Sequence, residues 1–419
     1  MKPRRYQLRK EAVGVALRHP WIFRDHLSSA AGVFRDGELL RLVDGNNRVV
    51  GHGFYEARGA IAIRLLRRGP APPDAAWLRG QLAATIARRA QLAAQTDAIR
   101  LVHGESDGIP AVVIDRFADT LVISSYSAGA DALARYAAHV LPHVLPQALD
   151  ARRDRAEDGP PGSAAGAATP LPPGLPDVRP IVGPARHIVL RPAHLRQGPT
   201  EPARVLRGAP PEIAHITESG MSLSVDLATG QKTGTYLDLR GLRRDIAAMP
   251  LAGARVLNLF AYSGMLGRAA EHAGASAIVQ VDASERALAF AAAHHTSDPA
   301  KHAFITADVF DWLPVYSAEP FDLVIVDPPS MTSKAAQIPA VLAAYRKLYR
   351  AAARLVRPGG TLVAACCTSR IERSVFHKTV RETLGDRFTL HHEIPPEPDH
   401  PVGFPQADYL KIGCWTRSP

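Results

Sequence analysis

The feature that most constrains this chain is a series of apolar segments in its C-terminal half, each closing on a turn or an acid. ARVLNLF (254–260), AIVQVD (277–282), AFITAD (303–308), FDLVIVD (321–327) and TLVAACC (361–367) alternate with helical stretches such as ERALAFAAAHH (285–295) and a long helix expected from Ile338 to Val356. Runs this continuous leave no polar face for water, which suits parallel strands covered on both sides. Right-handed crossovers between such strands then require a doubly wound α/β sheet, with YLKIGCW (409–415) as a late strand.

The other half of the chain reads differently. Within residues 1–26, Lys2, Arg4, Arg5, Arg9, Lys10, Arg18 and Arg24 face only Glu11 and Asp25, the most basic stretch of a chain carrying 50 Lys and Arg against 40 Asp and Glu. A phosphate backbone is the natural partner for that stretch. From Gly37 to Leu66, short β-like runs separated by Gly and Asn turns predict a small barrel. Residues 74–97 have helical periodicity through Leu78, Leu82, Ile86 and Leu92, and turn-punctuated strands follow. Gly, Pro and Ala dominate 159–177, so roughly 150–182 is expected to be a surface insertion with little to bury. Three domains are therefore expected, over 1–72, 73–205 and 206–419.

No stretch approaches 18 uninterrupted apolar residues and no apolar segment follows the first basic residues, so neither a membrane span nor a secretory signal is expected and the cytoplasm is the expected compartment. The three cysteines lack finger spacing, so no metal is expected either.

In a doubly wound sheet, ligands sit beyond the C-terminal strand ends. After the first strand, Phe260-Ala261-Tyr262-Ser263-Gly264-Met265-Leu266-Gly267 lacks the leading glycine of a dinucleotide loop, so a pyrophosphate fits poorly. S-adenosylmethionine has no phosphate, and its carboxylate needs only a turn and a helix N-terminus. Asp282 ends the second strand, where it can accept from both ribose hydroxyls, and Asp308 ends the third, near the adenine amine. Each alone would more simply be a helix cap or loop acid; with Asp327, three successive strand-end acids argue for a site. Asp327-Pro328-Pro329-Ser330 presents its acid on a rigid turn, because the prolines fix φ and remove donors. Enzymes that methylate exocyclic amines commonly have an aromatic where Ser330 stands. Cys366 and Cys367 end the fifth strand, and alternation turns Cys367 toward the cleft. A strand cysteine is more often a small hydrophobe. Beside Asp327, though, a thiol could add to carbon 6 of a pyrimidine and make carbon 5 nucleophilic, with the acid hydrogen-bonding a cytosine edge. Methylation of a guanine N2 or another amine, and a non-catalytic RNA-binding role, stay open on these residues.

At these positions the chain resembles the bacterial PUA-containing class I methyltransferases that modify cytosine carbon 5 in 23S ribosomal RNA. The resemblance rests on Arg18-His19-Pro20-Trp21-Ile22-Phe23, LVHGESDGIPAVVIDRF (101–117) and GQKTGTYLDLR (230–240). It continues in VLNLFAYSG (256–264), VDPPS (326–330), Cys367-Thr368-Ser369, Asp399-His400-Pro401-Val402 and Tyr409-Leu410-Lys411. It implies a PUA-like domain, a central α+β domain and a C-terminal Rossmann-like class I methyltransferase domain that binds S-adenosylmethionine and acts on ribosomal RNA. By motif position it makes Cys367 the nucleophile and Asp327 the base-binding acid. Lys232, Tyr236 and Asp238 are placed at the cofactor entrance, and Phe260, Tyr262, Gly264, Asp282, Asp308, Asp327 and Pro328 around the cofactor. Met265 stands where relatives usually have a second glycine, and Pro329 and Ser330 where two-cysteine RNA cytosine methyltransferases have a second thiol. The oligomeric state, a homodimer among the options, is not read from the sequence.

Overall fold

The computed structural model describes residues 3–27, 33–141, 144, 185–191, 203–317, 319–332 and 334–419. The insertion expected near 150–182 lies outside them. Packing divides the chain into two units: Met1–Ile216 with Val225–Thr235 and Pro398–Phe404, and Thr217–Ser224 with Tyr236–Glu397 and Pro405–Pro419.

The first unit holds two five-stranded sheets. Strands β1 (Arg4–Gln7), β2 (Trp21–Phe23), β3 (Leu39–Val43), β4 (Val49–Tyr55) and β5 (Ile61–Arg68) are ordered β1-β3-β4-β5-β2. Helix α1 (Lys10–Arg18) buries Ala12 and Ala16, one turn apart, in a core with Ile22, Leu40 and Ile63. Gly53 allows β4 and β5 to pair closely, since a Cβ there would stand 2.5 Å from the Arg64 carbonyl oxygen. The second sheet comprises β6 (Ala98–His103), β7 (Val112–Phe117), β8 (Thr120–Ser125), β9 (His187–Arg191) and β10 (Arg204–Arg207), in the order β10-β9-β8-β7-β6. It carries helices α2 (Ala75–Ala87), α3 (Ala90–Ala93) and α4 (Asp131–Val140).

Periodicity predicts one helix over 74–97, and the structure breaks it between α2 and α3. The cause is Arg89, whose side chain is fully buried: Nη2 lies 2.5 Å and Nη1 3.1 Å from the two oxygens of the equally buried Asp107, while Nε donates to the Arg100 carbonyl at 3.1 Å. Fixing that fork on a loop acid takes precedence over continuing the helix.

A two-stranded sheet of β11 (Ile213–Glu218) and β12 (Met221–Asp226) follows. The second unit is built on β13 (Arg255–Leu259), β14 (Ala277–Asp282), β15 (His302–Thr306), β16 (Phe321–Val326), β17 (Val356–Cys366), β18 (Phe388–Ile394) and β19 (Lys411–Arg417), ordered β15-β14-β13-β16-β17-β19-β18. Its helices are α5 (Arg240–Ala248), α6 (Met265–His272), α7 (Glu285–His294), α8 (Val309–Val315), α9 (Ile338–Arg354) and α10 (Arg373–Leu384). Helix α9 buries Val341, Tyr345, Leu348, Tyr349 and Ala352, a single stripe of helical spacing.

The α/β class is as expected, with one strand the sequence did not show and one direction it left open. Strand β18 was not anticipated, because its middle (Thr389, His391, Glu393) is exposed and gives no continuous apolar run. Strand β19 is antiparallel to both neighbours, so only the first five strands form the parallel core. Strand order reverses between β13 and β16, which opens a crevice beyond their C-terminal ends.

Removing one partner of a buried ion pair strands the other charge, typically at about 3 to 5 kcal/mol. Asp107→Ala is expected to destabilise the first unit on that scale, read as a drop in its urea-unfolding midpoint, while Asp107→Asn, which still accepts hydrogen bonds, costs less.

Candidate active site

The crevice begins at the turn after β13. Phe260, Tyr262 and Gly264 all have left-handed backbone conformations, with φ of 60°, 47° and 75°. Two of the three are aromatic, a conformation that costs of order 1–3 kcal/mol each and persists only when its surroundings enforce it. The Asp282 carboxylate is one enforcer. Its Oδ2 accepts from the Tyr262 amide and its Oδ1 from the Ser284 amide, both at 2.8 Å. Each oxygen keeps a further lone pair for hydroxyl donors. Gly264 is required on two counts, its φ and a Cβ position only 2.6 Å from the Ala291 Cβ. The Met265 side chain is buried in the first turn of α6.

A histidine holds the same turn. His295 Nε2 accepts from the Ser224 amide at 3.0 Å, and its Nδ1–H donates to the Ser263 carbonyl at 2.5 Å. Both bonds use the neutral ring, and burial pushes its pKa down to about 4.

A second group of residues is placed by buried charge. Arg243 clamps Glu218 with Nε at 2.5 Å and Nη2 at 2.9 Å, and gives Nη1 to the Tyr236 carbonyl at 3.0 Å. Arg240 pairs with Glu397 at 3.1 Å. These bonds fix the segment before α5, so that Tyr409 donates its hydroxyl to Asp238 Oδ2 at 2.6 Å and the Tyr236 ring meets Tyr262 edge-on, 5.4 Å between centroids. Burial, reinforced by Tyr262, Asp327, Asp238 and Cys367, raises the Tyr236 phenol well above its usual range, so it stays protonated and able to donate.

Across the crevice, Asp327 is half-buried after β16, and Cys367, just past the end of β17, donates its thiol to the Pro328 carbonyl at 3.5 Å. Cys366 is fully buried in the core with Tyr345 and Tyr349. Tyr236, Asp238, Tyr262, Asp327 and Cys367 are thus brought together, with Asp282 behind them.

Two further expected residues are held by local bonds. Asp308 caps α8, accepting from the Phe310 amide at 2.8 Å, which leaves its second oxygen for other donors. Lys232 belongs to the first unit, at φ 55°, with its carbonyl held by Arg191 Nη1 at 2.8 Å. Sequence reasoning missed His295, Arg243, Glu218 and Phe310, whose ring packs 5.5 Å from Phe260. Only the adjacent His294 and His295 closing an Ala-rich helix gave any signal.

His295 sets a pH dependence. The unfolded chain takes up its proton near pH 6.5 and the folded protein only near 4, so stability is intact above 6.5 and falls as pH drops between these values, by roughly 3 kcal/mol in all. His295→Gln, which has a donor and an acceptor but no proton to gain, is expected to flatten this part of a urea-unfolding series between pH 7 and 4; an unchanged slope assigns the acid sensitivity to other groups.

The donor set of this crevice, a strand-end carboxylate with spare acceptor capacity, a pair of aromatic rings and a glycine-led helix start, fits S-adenosylmethionine. An S-adenosylmethionine-dependent methyltransferase model matches residues 179–410, and a PUA-like domain model matches residues 8–68. A ribosomal RNA large subunit methyltransferase of Deinococcus radiodurans is 31% identical over 412 residues, covering 94% of this chain and 92% of the relative. The ribosomal RNA large subunit methyltransferase I of Klebsiella pneumoniae is 30% identical, covering 94% and 93%. Among solved structures, a methyltransferase-class protein in complex with SAH superposes with a TM-score of 0.77 at 21% identity, over 99% of this chain and 100% of that one. With a catalytic-fold match over more than half its length and relatives that align almost end to end, this chain belongs to the S-adenosylmethionine-dependent methyltransferase family and carries a PUA-like N-terminal domain.

Proposed function

We propose that this enzyme methylates carbon 5 of a cytosine in large-subunit ribosomal RNA, 23S by the family resemblance, with Cys367 as covalent nucleophile. The names of its relatives support the substrate class, and the PUA-like domain and basic N-terminus suit an RNA partner. One observation carries the mechanism: of two adjacent cysteines, Cys367 alone is half-exposed, its sulfur 3.5 Å from the Pro328 carbonyl and so beside Asp327. No described helix is long and apolar enough to cross a membrane, and the reading places the enzyme in the cytoplasm.

When bound, S-adenosylmethionine supplies an electrophilic methyl group. Asp282 accepts from the ribose hydroxyls with the lone pairs its backbone bonds leave free. The α6 N-terminus at Gly264 would hold the carboxylate, Phe260 and Tyr262 would wall the cofactor, and the uncapped oxygen of Asp308 would accept from the adenine amine. Pro328 would close that wall and Tyr236 and Asp238 would stand at its entrance, a role the family resemblance alone extends to Lys232. Carbon 5 of cytosine is too weak a nucleophile to accept a methyl group unaided. Addition of the Cys367 thiolate at carbon 6 would make it an enamine, and Asp327, as a carboxylic acid donating to the ring nitrogen and accepting from the amine, would neutralise the negative charge that moves onto the base. With the methyl group on carbon 5, a water molecule would take the carbon-5 proton, and the electrons of that C–H bond would rebuild the 5,6 double bond and expel the Cys367 thiolate. The domain division that goes with this reading is 1–72 for RNA, 73–205 as the central module and 206–419 for catalysis.

Asp282→Ala is expected to weaken S-adenosylmethionine binding at least about tenfold in calorimetry, since charge-assisted bonds of this kind contribute roughly 1.5 to 3 kcal/mol. Unchanged affinity removes Asp282 from the site.

Cys367→Ala is expected to bind cofactor and RNA yet transfer no methyl group, whereas Cys366→Ala stays active. RNA containing 5-fluorocytosine should be trapped covalently by the wild type and by Cys366→Ala but not by Cys367→Ala. Methylation by Cys367→Ala would move the target to an exocyclic amine such as guanine N2.

A further inference from the structure

The opposite end of the same sheet holds a second group of reactive side chains. A cleft of about 680 Å³ opens beside the N-terminal starts of β13, β16 and β17, away from the strand ends that carry Asp282, Asp327 and Cys367. Asp245 of α5, His392 of β18 and Cys414 of β19 line it together. His392 Nε2 lies 3.1 Å from Asp245 Oδ1, the Cys414 sulfur lies 3.8 Å from Asp245 Oδ2, and one donor atom from each of the three falls within 4.8 Å of the others.

We propose that Asp245, His392 and Cys414 form a binding site for a zinc-class divalent cation. Donors bound at tetrahedral zinc distances stand roughly 3.3 to 3.8 Å apart; the two Asp245 contacts lie near that spacing, and the set of three, within 4.8 Å, needs only a small side-chain adjustment to close around an ion. One sulfur, one imidazole nitrogen and one carboxylate oxygen suit a borderline-soft ion and not magnesium or calcium, which take oxygen. The outer nitrogen of the His392 ring is also engaged: its Nδ1 lies 2.7 Å from His391 Nδ1, a contact that orients the ring with Nε2 toward the other two donors. Cys414 is buried, while Asp245 and His392 are partly open to the cleft, so an ion has an entry path and a fourth position for water. A thiolate and a carboxylate together balance a double positive charge. In the absence of metal the thiol proton satisfies Asp245 instead, and an entering ion displaces it. Bound there, the cation ties α5 to the two antiparallel strands. It takes no part in methyl transfer, so the site stands or falls independently of the proposed reaction.

The test is cobalt titration of the full-length, chelator-stripped protein. One equivalent of Co²⁺ is expected to produce a near-ultraviolet thiolate-to-metal charge-transfer band with tetrahedral visible absorption, both abolished by added Zn²⁺. The band should vanish in Cys414→Ser, persist in Cys367→Ser, and require at least about tenfold more cobalt in Asp245→Asn or His392→Gln. A spectrum without a thiolate band, or one unchanged in Cys414→Ser, overturns the site. Should Cys414→Ser fail to fold by circular dichroism, the two substitutions at partly exposed positions decide: wild-type cobalt affinity in both overturns it.

Discussion

The proposed catalytic edge depends on a buried ammonium group. Lys411 is wholly enclosed, and its Nζ donates to the carbonyls of Thr368 at 2.9 Å and Tyr409 at 3.0 Å. Burial lowers its pKa, so the enclosure disfavours the charge, and these carbonyl bonds offset part of that cost. What the structure gains is closure of the sheet tip. Cys366 and Lys411 are the last paired residues of β17 and β19, and the ammonium then joins the chain just after Cys367 to the chain just before β19. Tyr409, fixed in this way, reaches Asp238. The inward Cys366 and half-exposed Cys367 follow from ordinary strand alternation, but only because the strand is held in register to its final residue.

A comparable constraint acts on the cofactor side. The turn at Phe260–Gly264 stores backbone strain, and it is held by Asp282 and by His295, the latter through hydrogen bonds that only the neutral ring makes. Asp282 therefore combines two roles in the proposed site, clamping the turn through backbone amides and offering its remaining lone pairs to a sugar. A residue so committed arrives pre-oriented, and little is left to order when ligand binds.

Much of this was legible from local pattern. Five parallel strands declared themselves as continuous apolar runs, and the acids at their ends marked the crevice because topology alone puts strand termini there. What periodicity could not show were partners distant in sequence. Glu218 and Arg243 are 25 residues apart and Arg240 and Glu397 are 157 apart, yet these bonds position Tyr236 and Asp238. The break between α2 and α3 was hidden for the same reason, since Arg89 looks like any helical arginine until Asp107 is seen opposite it. Strand β18 escaped because an edge strand with an exposed middle carries a polar pattern that turns and loops also show. Asp308 illustrates the reverse: a strand-end acid that is also an N-cap satisfies both patterns, and sequence alone does not divide them.

The same limit applies to metals. The absence of finger spacing excludes only sites whose ligands are sequence neighbours, the kind that a small domain folds around. In a sheet where β19 returns antiparallel between β17 and β18, residues far apart in the chain are delivered to one end of the fold: His392 and Cys414 stand 147 and 169 residues from Asp245, yet share one cleft. A doubly wound domain with an antiparallel edge thus has two ends with distinct chemistry. Its parallel strands gather carboxylates and a thiol at their C-terminal tips, and the returning β19 with the edge strand β18 brings a thiol and an imidazole to the opposite end.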